Sequence, residues 1–263
     1  MIKKVWSPNR GILKGKTIFL SASVPNPARN PKFLEGGDDS MDEMLRVQLL
    51  DTRINDAVRS VVMSVLEEGG RIAHGGHPSI TQTIMEQAQL FDEIDGDPPI
   101  LTYQSRMFTD NKEYEPPPGL LEMEESGHTI INRVSHKEED LEKARKLLPK
   151  MTDKEFDELI FRQSAPQAPQ GLKIALLMLR VIMLGESKPI AGVSMGGMEG
   201  IEVEADMFHL ILSRKKTLPY YAFPSTLGAA AQLGRTDILV VDGEPHGGPE
   251  LATVKEDLWE RRD

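Results

Sequence analysis

Two glycine pairs stand where a strand should hand over to a helix, and both have neighbours able to hold a polar ligand. The first lies in Arg71-Ile-Ala-His-Gly75-Gly76-His77-Pro78-Ser79-Ile-Thr81, the second in Ala191-Gly-Val-Ser-Met195-Gly196-Gly197-Met198-Glu199-Gly200-Ile-Glu202-Val-Glu204. Glycine admits positive φ and lets a ligand come close to the backbone. A helix opening just afterwards offers N–H groups and a partial positive charge, which suits phosphate. One such junction is weak evidence; two in one chain point to a pocket for a nucleotide-like ligand.

At the first junction, Gly75, Gly76, His77 and Ser79 form either a phosphate or ribose site or a tight turn whose helix is capped by Ser79. His77 is a donor for an anion or a plain loop histidine. At the second junction, Glu199, Glu202 and Glu204 fall in the first turns of the helix. Carboxylates there stabilise the helix dipole by roughly 0.3–1 kcal/mol each and would repel phosphate. Their better role is toward ribose hydroxyls, as in dinucleotide sites, with Gly196, Gly197 and Gly200 giving the approach. Glu204 is also the candidate catalytic carboxylate, placed to stabilise positive charge on a ribosyl transition state. Ser21 and Ser23 close one strand, and Ser225 and Thr226 follow another; each pair suits a helix cap and a phosphate equally well.

Other chemistries are excluded or unsupported. The chain has no cysteine, so disulfides, thiolate nucleophiles and Cys-ligated zinc are ruled out. The six histidines show no ligand spacing, and no metal or other cofactor is expected. No G-x-x-x-x-G-K-[ST] and no G-x-S-x-G is present. A net charge of −10 and a pI near 5.2 argue against an extended nucleic-acid surface or an anionic membrane as partner. The most apolar run, 172–184, is interrupted by Lys173 and Arg180 and is too short to span a bilayer. It reads as a core helix of a cytoplasmic protein.

The elements that position these residues follow from periodicity. Ile54, Ala57, Val58, Val61, Val62, Val65 and Leu66 have helical spacing, and Gly69-Gly70 ends that helix. Strands are predicted at 17–23, 71–74, 99–105, 128–134, 189–195, 218–223 and 237–241. Helices are predicted from 79 to about 91, 137–148, 153–163, 171–184, 200–213 and after Gly228. Ser79/Gln82, Ser135/Glu138 and Thr152/Glu155 match capping boxes. The alternation predicts a Rossmann-like, doubly wound α/β fold with a largely parallel sheet and helices on both faces. It reads as a single domain over 1–263, with a lead-in at 1–16, an acidic surface loop over 35–43 and a flexible tail at 243–263. Such sheets bind ligands at the carboxyl ends of their strands, where Ser21, Gly75, Tyr103, Gly196 and Ser225 are expected.

The sequence resembles the SLOG superfamily, named for the SMF/DprA and LOG proteins. The resemblance rests on Ile18-Phe-Leu-Ser-Ala-Ser-Val-Pro25, His74-Gly-Gly-His-Pro-Ser79, Tyr103-Gln-Ser-Arg106, the run from Gly196 to Glu204 and Tyr221-Ala-Phe-Pro-Ser-Thr-Leu-Gly-Ala-Ala230. It implies a Rossmann-like fold that binds a nucleotide-derived small molecule, as a sensor or ligand-binding module of a bacterial conflict or signalling system. Transmission of the signal would then call for a homo-oligomer or a separately encoded effector protein. LOG members are instead hydrolases of the N-glycosidic bond with a P-G-G-x-G-T-x-x-E motif, onto which Gly196, Gly197 and Glu204 fall. Here no proline precedes Gly196, Glu199 adds a residue before Gly200, and Ile201 stands in the hydroxyl place. By strand-end position, Arg106 is the nearest counterpart of the LOG arginine.

Overall fold

The structure is a computed structural model and describes residues 11–26, 42–91, 97–110, 119–212, 218–233 and 239–240. The expected lead-in up to residue 10, most of the acidic loop and the tail lie outside the described residues. The strands are β1 (Thr17–Ser23), β2 (Arg71–His74), β3 (Ile100–Ser105), β4 (Thr129–Val134), β5 (Ala191–Gly196), β6 (Tyr220–Phe223) and β7 (Leu239–Val240). The helices are α1 (Glu43–Glu67), α2 (Pro78–Ala88), α3 (Arg106–Thr109), α4 (Leu120–Glu125), α5 (Leu141–Leu147), α6 (Asp153–Phe161), α7 (Gln170–Ser187), α8 (Glu199–Leu212) and α9 (Gly228–Gln232).

All seven strands pair in parallel in the order β4-β3-β2-β1-β5-β6-β7. The first strand in sequence is therefore the middle strand in space. The chain runs outward from β1 to β4, returns to lay β5 against the other side of β1, and runs outward again. The winding reverses between β1 and β5, where Ser21 lies opposite Ser194 and Ser23 opposite Gly196.

Alternation along the strands divides the core between two faces. Ile18, Leu20, Ile72, Ile100, Val193, Met195 and Tyr221 pack under α1, α2 and α4. Phe19, Ala73, Tyr103, Tyr220 and Ala222 pack under α5 to α9. Each fully buried Ile, Leu, Val or Phe contributes roughly 1.5–3 kcal/mol.

The predicted helices are present with shifted ends. α1 starts at Glu43, well before the first periodic apolar residue, because the Asp42 side chain accepts from Met44 N (2.9 Å) as its cap. Its first turns are exposed, so they carry no burial pattern to read. Gly69, at φ 75°, turns the chain out of α1, and Gly70 packs so closely that an added Cβ would lie 2.9 Å from Val65 Cγ1. Thr152 and Glu155 form a full capping box on α6. The other two proposed boxes are corrected. α2 is capped by His77, whose Nδ1 accepts from Ser79 N, with Pro78 as first helical residue. Ser135 donates to Asp140 (2.6 Å), and a short 3₁₀ turn at Glu138–Asp140 precedes α5. α3 and α4 were not predicted; both are too short for a periodic signal.

Candidate functional site

The reversal point brings most of the expected residues together at the carboxyl ends of β1, β5 and β6, where a crevice is expected in such sheets. Ser21 and Ser23 end β1, Gly196 ends β5 with Gly197 just after it, and Glu199, Gly200 and Glu204 lie on the first turns of α8. Ser225 and Thr226 sit in the 3₁₀ turn after β6. Gly75, Gly76, His77 and Ser79 lie on the other side of β1, in the β2–α2 junction. Ser79 Oγ ties that junction to the end of β1 by accepting from Val24 N (3.1 Å). Tyr103 is not at a strand end. It lies inside β3, buried, and burial foremost, with the charge of Glu186, pushes its phenol up to about 12.

Backbone contacts between loops account for the second glycine pair. Gly196 and Gly197 have φ of 57° and 73°. Gly196 N donates to Thr226 Oγ1 (2.8 Å) and Gly197 N to Ser23 O (2.6 Å). Thr226 Oγ1 in turn donates to Phe223 O (2.5 Å). Gly228, at φ 66°, passes so close that a Cβ there would sit 2.6 Å from Gly196 C. These two amides and the Thr226 hydroxyl therefore lock the β1, β5 and β6 loops together. Gly75 differs: its φ is outside the left-handed region, and a Cβ there would meet nothing within 4 Å. Neither strain nor packing requires it.

Glu204 is the carboxylate held in the crevice. Ser21 Oγ donates to its Oε2, and Arg180 Nε donates to its Oε1 at 3.3 Å. Arg180 comes from α7, is 5% exposed, and also donates through Nη1 to the backbone O and Oε1 of Gln163, each at 2.9 Å. Its Nη2 passes under Gly200, where an added Cβ would lie 3.1 Å away. The Glu204 side chain is 22% exposed and that of Arg180 6%, so solvent reaches the carboxylate far more than the guanidinium. The Tyr220 hydroxyl lies near Ser21, Ser194 and Glu204, is fully buried and makes no hydrogen bond of ordinary geometry. Burial first, then the Glu204 charge, push its pKa upward, so it stays a neutral phenol.

Three participants were missed in the sequence. Arg180, not Arg106, is the arginine that meets Glu204; Arg106 opens α3 at the end of β3, with β2 between it and β1. The available signal was the pair of cations inside an apolar run, since a buried charge must find a partner. Lys173, the other cation, donates to Pro166 O (2.9 Å) and lies over the Phe161 ring. Arg53 of α1 reaches the rim, donating to Ser225 O (3.1 Å), while neighbouring Ile54 packs against Gly196. Tyr220 was not singled out in the sequence, where it is one residue of the strand predicted at 218–223. Ser225 Oγ, beside Arg53's acceptor, is buried with no hydrogen-bond partner.

Beneath the first glycine pair lies buried His74. Gly76 N donates to its Nδ1 (3.3 Å), so Nε2 carries the proton and donates to Thr102 Oγ1 (3.0 Å). Thr102 then donates to Thr129 Oγ1 (3.0 Å), which donates to Ile100 O (3.2 Å). Burial lowers the His74 pKa from 6.5 to about 4.

Comparison with protein families decides the assignment. The SLOG cluster3 family matches residues 50–161 and 143–242, which together run from α1 through β7. The chain belongs to the SLOG cluster3 family. Membership in this SLOG group agrees with the Rossmann-like parallel sheet. No curated protein and no solved structure matches the chain. Among the described residues of this SLOG protein, no helix is long and apolar enough to cross a membrane. No group of three or more His, Asp or Glu is placed to hold a metal ion among them either.

Proposed function

We propose that this SLOG cluster3 protein binds a nucleotide or nucleotide-derived small molecule in the crevice between β1 and β5, as a sensor or binding module of a bacterial conflict or signalling system. The observation that carries this reading is the convergence of Ser21, Glu204 and the Gly196-Gly197 turn at the point where the winding reverses. Glu204 faces the ribose hydroxyls, which donate to a carboxylate. The phosphate lies toward Arg53 and the β6 loop, away from the acidic first turn of α8. The open surroundings of Gly75 leave room for the ligand on the other side of β1. The protein acts in the cytoplasm, and its signal leaves through a homo-oligomer or a separately encoded effector.

The test is a thermal-shift screen against mono-, di-, cyclic and ADP-ribose-type nucleotides, followed by mass spectrometry of each mixture. Ligand at 100 times its Kd stabilises the fold by about 2.7 kcal/mol. A shift with intact ligand is expected; an unchanged melting temperature across the panel would overturn the reading.

The Arg180–Glu204 pair supports a second reading, hydrolysis of the N-glycosidic bond of a nucleotide. Glu204 would stabilise the ribosyl cation, and Arg180 would hold the carboxylate in place. Release of free base, lost in Glu204→Gln while the thermal shift is kept, would establish it.

A further inference from the structure

Among the described residues β4 is an outer strand of the sheet, with a pairing edge that faces away from β3. In a parallel pair, alternate residues turn both their N–H and C=O away from the partner strand. Ile131 is such a residue, and both of its outward groups are taken by one ion pair. Ile131 N donates to Glu124 Oε1 (3.2 Å), and Ile131 O accepts from Arg133 Nη1 (3.3 Å). Arg133 also donates to Glu124 through Nη1 (3.2 Å) and Nη2 (2.9 Å). Glu124 comes from α4, which folds back against the strand it precedes. Its hydrogen bond to Arg133 holds its carboxyl below the usual range.

We infer that the Glu124–Arg133 fork is a plug that closes the β4 edge against strand addition by a second copy of this chain. The segment it guards, Thr129-Ile-Ile-Asn-Arg-Val134, is rich in β-branched residues, and Ile130 is 42% exposed on it. An open edge of this composition templates pairing with another strand. The guanidinium and the carboxylate mimic the neighbouring strand at the middle of the edge, so an incoming strand finds neither donor nor acceptor there. The plug is independent of the crevice, which lies across β3 and β2 from β4.

The experiment compares the full chain with Glu124→Ala/Arg133→Ala by analytical ultracentrifugation over a range of concentrations, with circular dichroism to confirm native folding. The double variant is expected to associate more strongly with concentration than the parent. Adding Ile130→Lys, a charge on an exposed side chain of the same edge, should return it to the parent's behaviour. A natively folded double variant with the parent's concentration dependence would overturn the inference, as would association that Ile130→Lys leaves intact. If the double variant does not fold, amide exchange in the parent and in Glu124→Met/Arg133→Met, whose side chains offer neither an amide-type acceptor nor a donor, decides. The Ile131 amide should be protected in the parent and exchange about fivefold faster or more in the variant, the worth of one net hydrogen bond. Equal exchange in both would show that the fork closes nothing.

Discussion

Glu204 is gripped from two sides, by a hydroxyl and by a guanidinium that is itself spoken for by Gln163. Removing one member of a buried pair strands the other. Arg180→Met is expected to lower unfolding free energy by about 2–4 kcal/mol, whereas Arg180→Met/Glu204→Leu should lose less than the two single changes summed. Urea denaturation of the three variants measures this. At the rim, Arg53→Ala should weaken binding of any nucleotide found in the screen about tenfold, the worth of one charge-assisted hydrogen bond, with little change in stability. Isothermal titration would separate the two effects. His74 sets a pH dependence. Its folded pKa of about 4 lies below the unfolded 6.5, so the unfolded chain takes up a proton first as pH falls. The native state is then unaffected above pH 6.5 and loses stability from 6.5 down to about 4, by up to roughly 1.4 kcal/mol per pH unit and about 3 kcal/mol in all. The check is an NMR titration of the imidazole: the Nε2–H tautomer should persist to about pH 4, and a ring that charges near 6.5 would refute the relay.

The turns after β5 and β6 form one interlocked unit, because Gly228 lies on the Gly196-Gly197 backbone and Ala229 N donates to Gly197 O (3.0 Å). Gly228→Ala must place a methyl group against that backbone and hold a left-handed φ, at an expected loss of about 2 kcal/mol or more, read as a fall in the urea midpoint. Leu227, just before it, has φ 51° and ψ −155°, a conformation nearly reserved for glycine. Strain of this kind persists only where surrounding contacts over-determine it, here those of Gly228 and Ala229 with the Gly196-Gly197 backbone. These elements show how far the sequence could be read. Strand and helix order was legible because Ile54 to Leu66 repeat at the helical period and Ile18 to Leu20 form the short continuous apolar run of a strand buried on both faces. The junction after β5 was legible because Gly196-Gly197 ends an apolar strand-like run and a helix with acidic first turns follows it. Arg180 was not, since its partners are Gln163, just after α6, and Glu204 on α8, neither of them near it in sequence. The cap of α2 was misjudged because the ring nitrogen of His77 can accept where a serine was expected. Nor did anything local reveal that the glycine amides would be consumed by Thr226 and Ser23.

At the scale of the molecule, two apolar layers share one sheet, so neither layer keeps its packing once the strands separate. A single cooperative thermal transition is expected, with amide exchange slowest in β1 and β5 and fastest in β4 and β7, the outer strands. Two separated transitions by calorimetry would contradict this. The order of the strands also has a consequence for biosynthesis. β1 is made first but stays half-paired until residue 196 has been translated, since β5 is its second neighbour. For most of its time on the ribosome the nascent sheet therefore has two raw margins. One, at β4, is sealed by Glu124 and Arg133 as soon as both are made, while the other, at β1, waits for the chain to come back. The delay makes the β1 margin the place where a holdase chaperone has the most to protect. A pause in translation before β5 is where misassembly of this protein should begin.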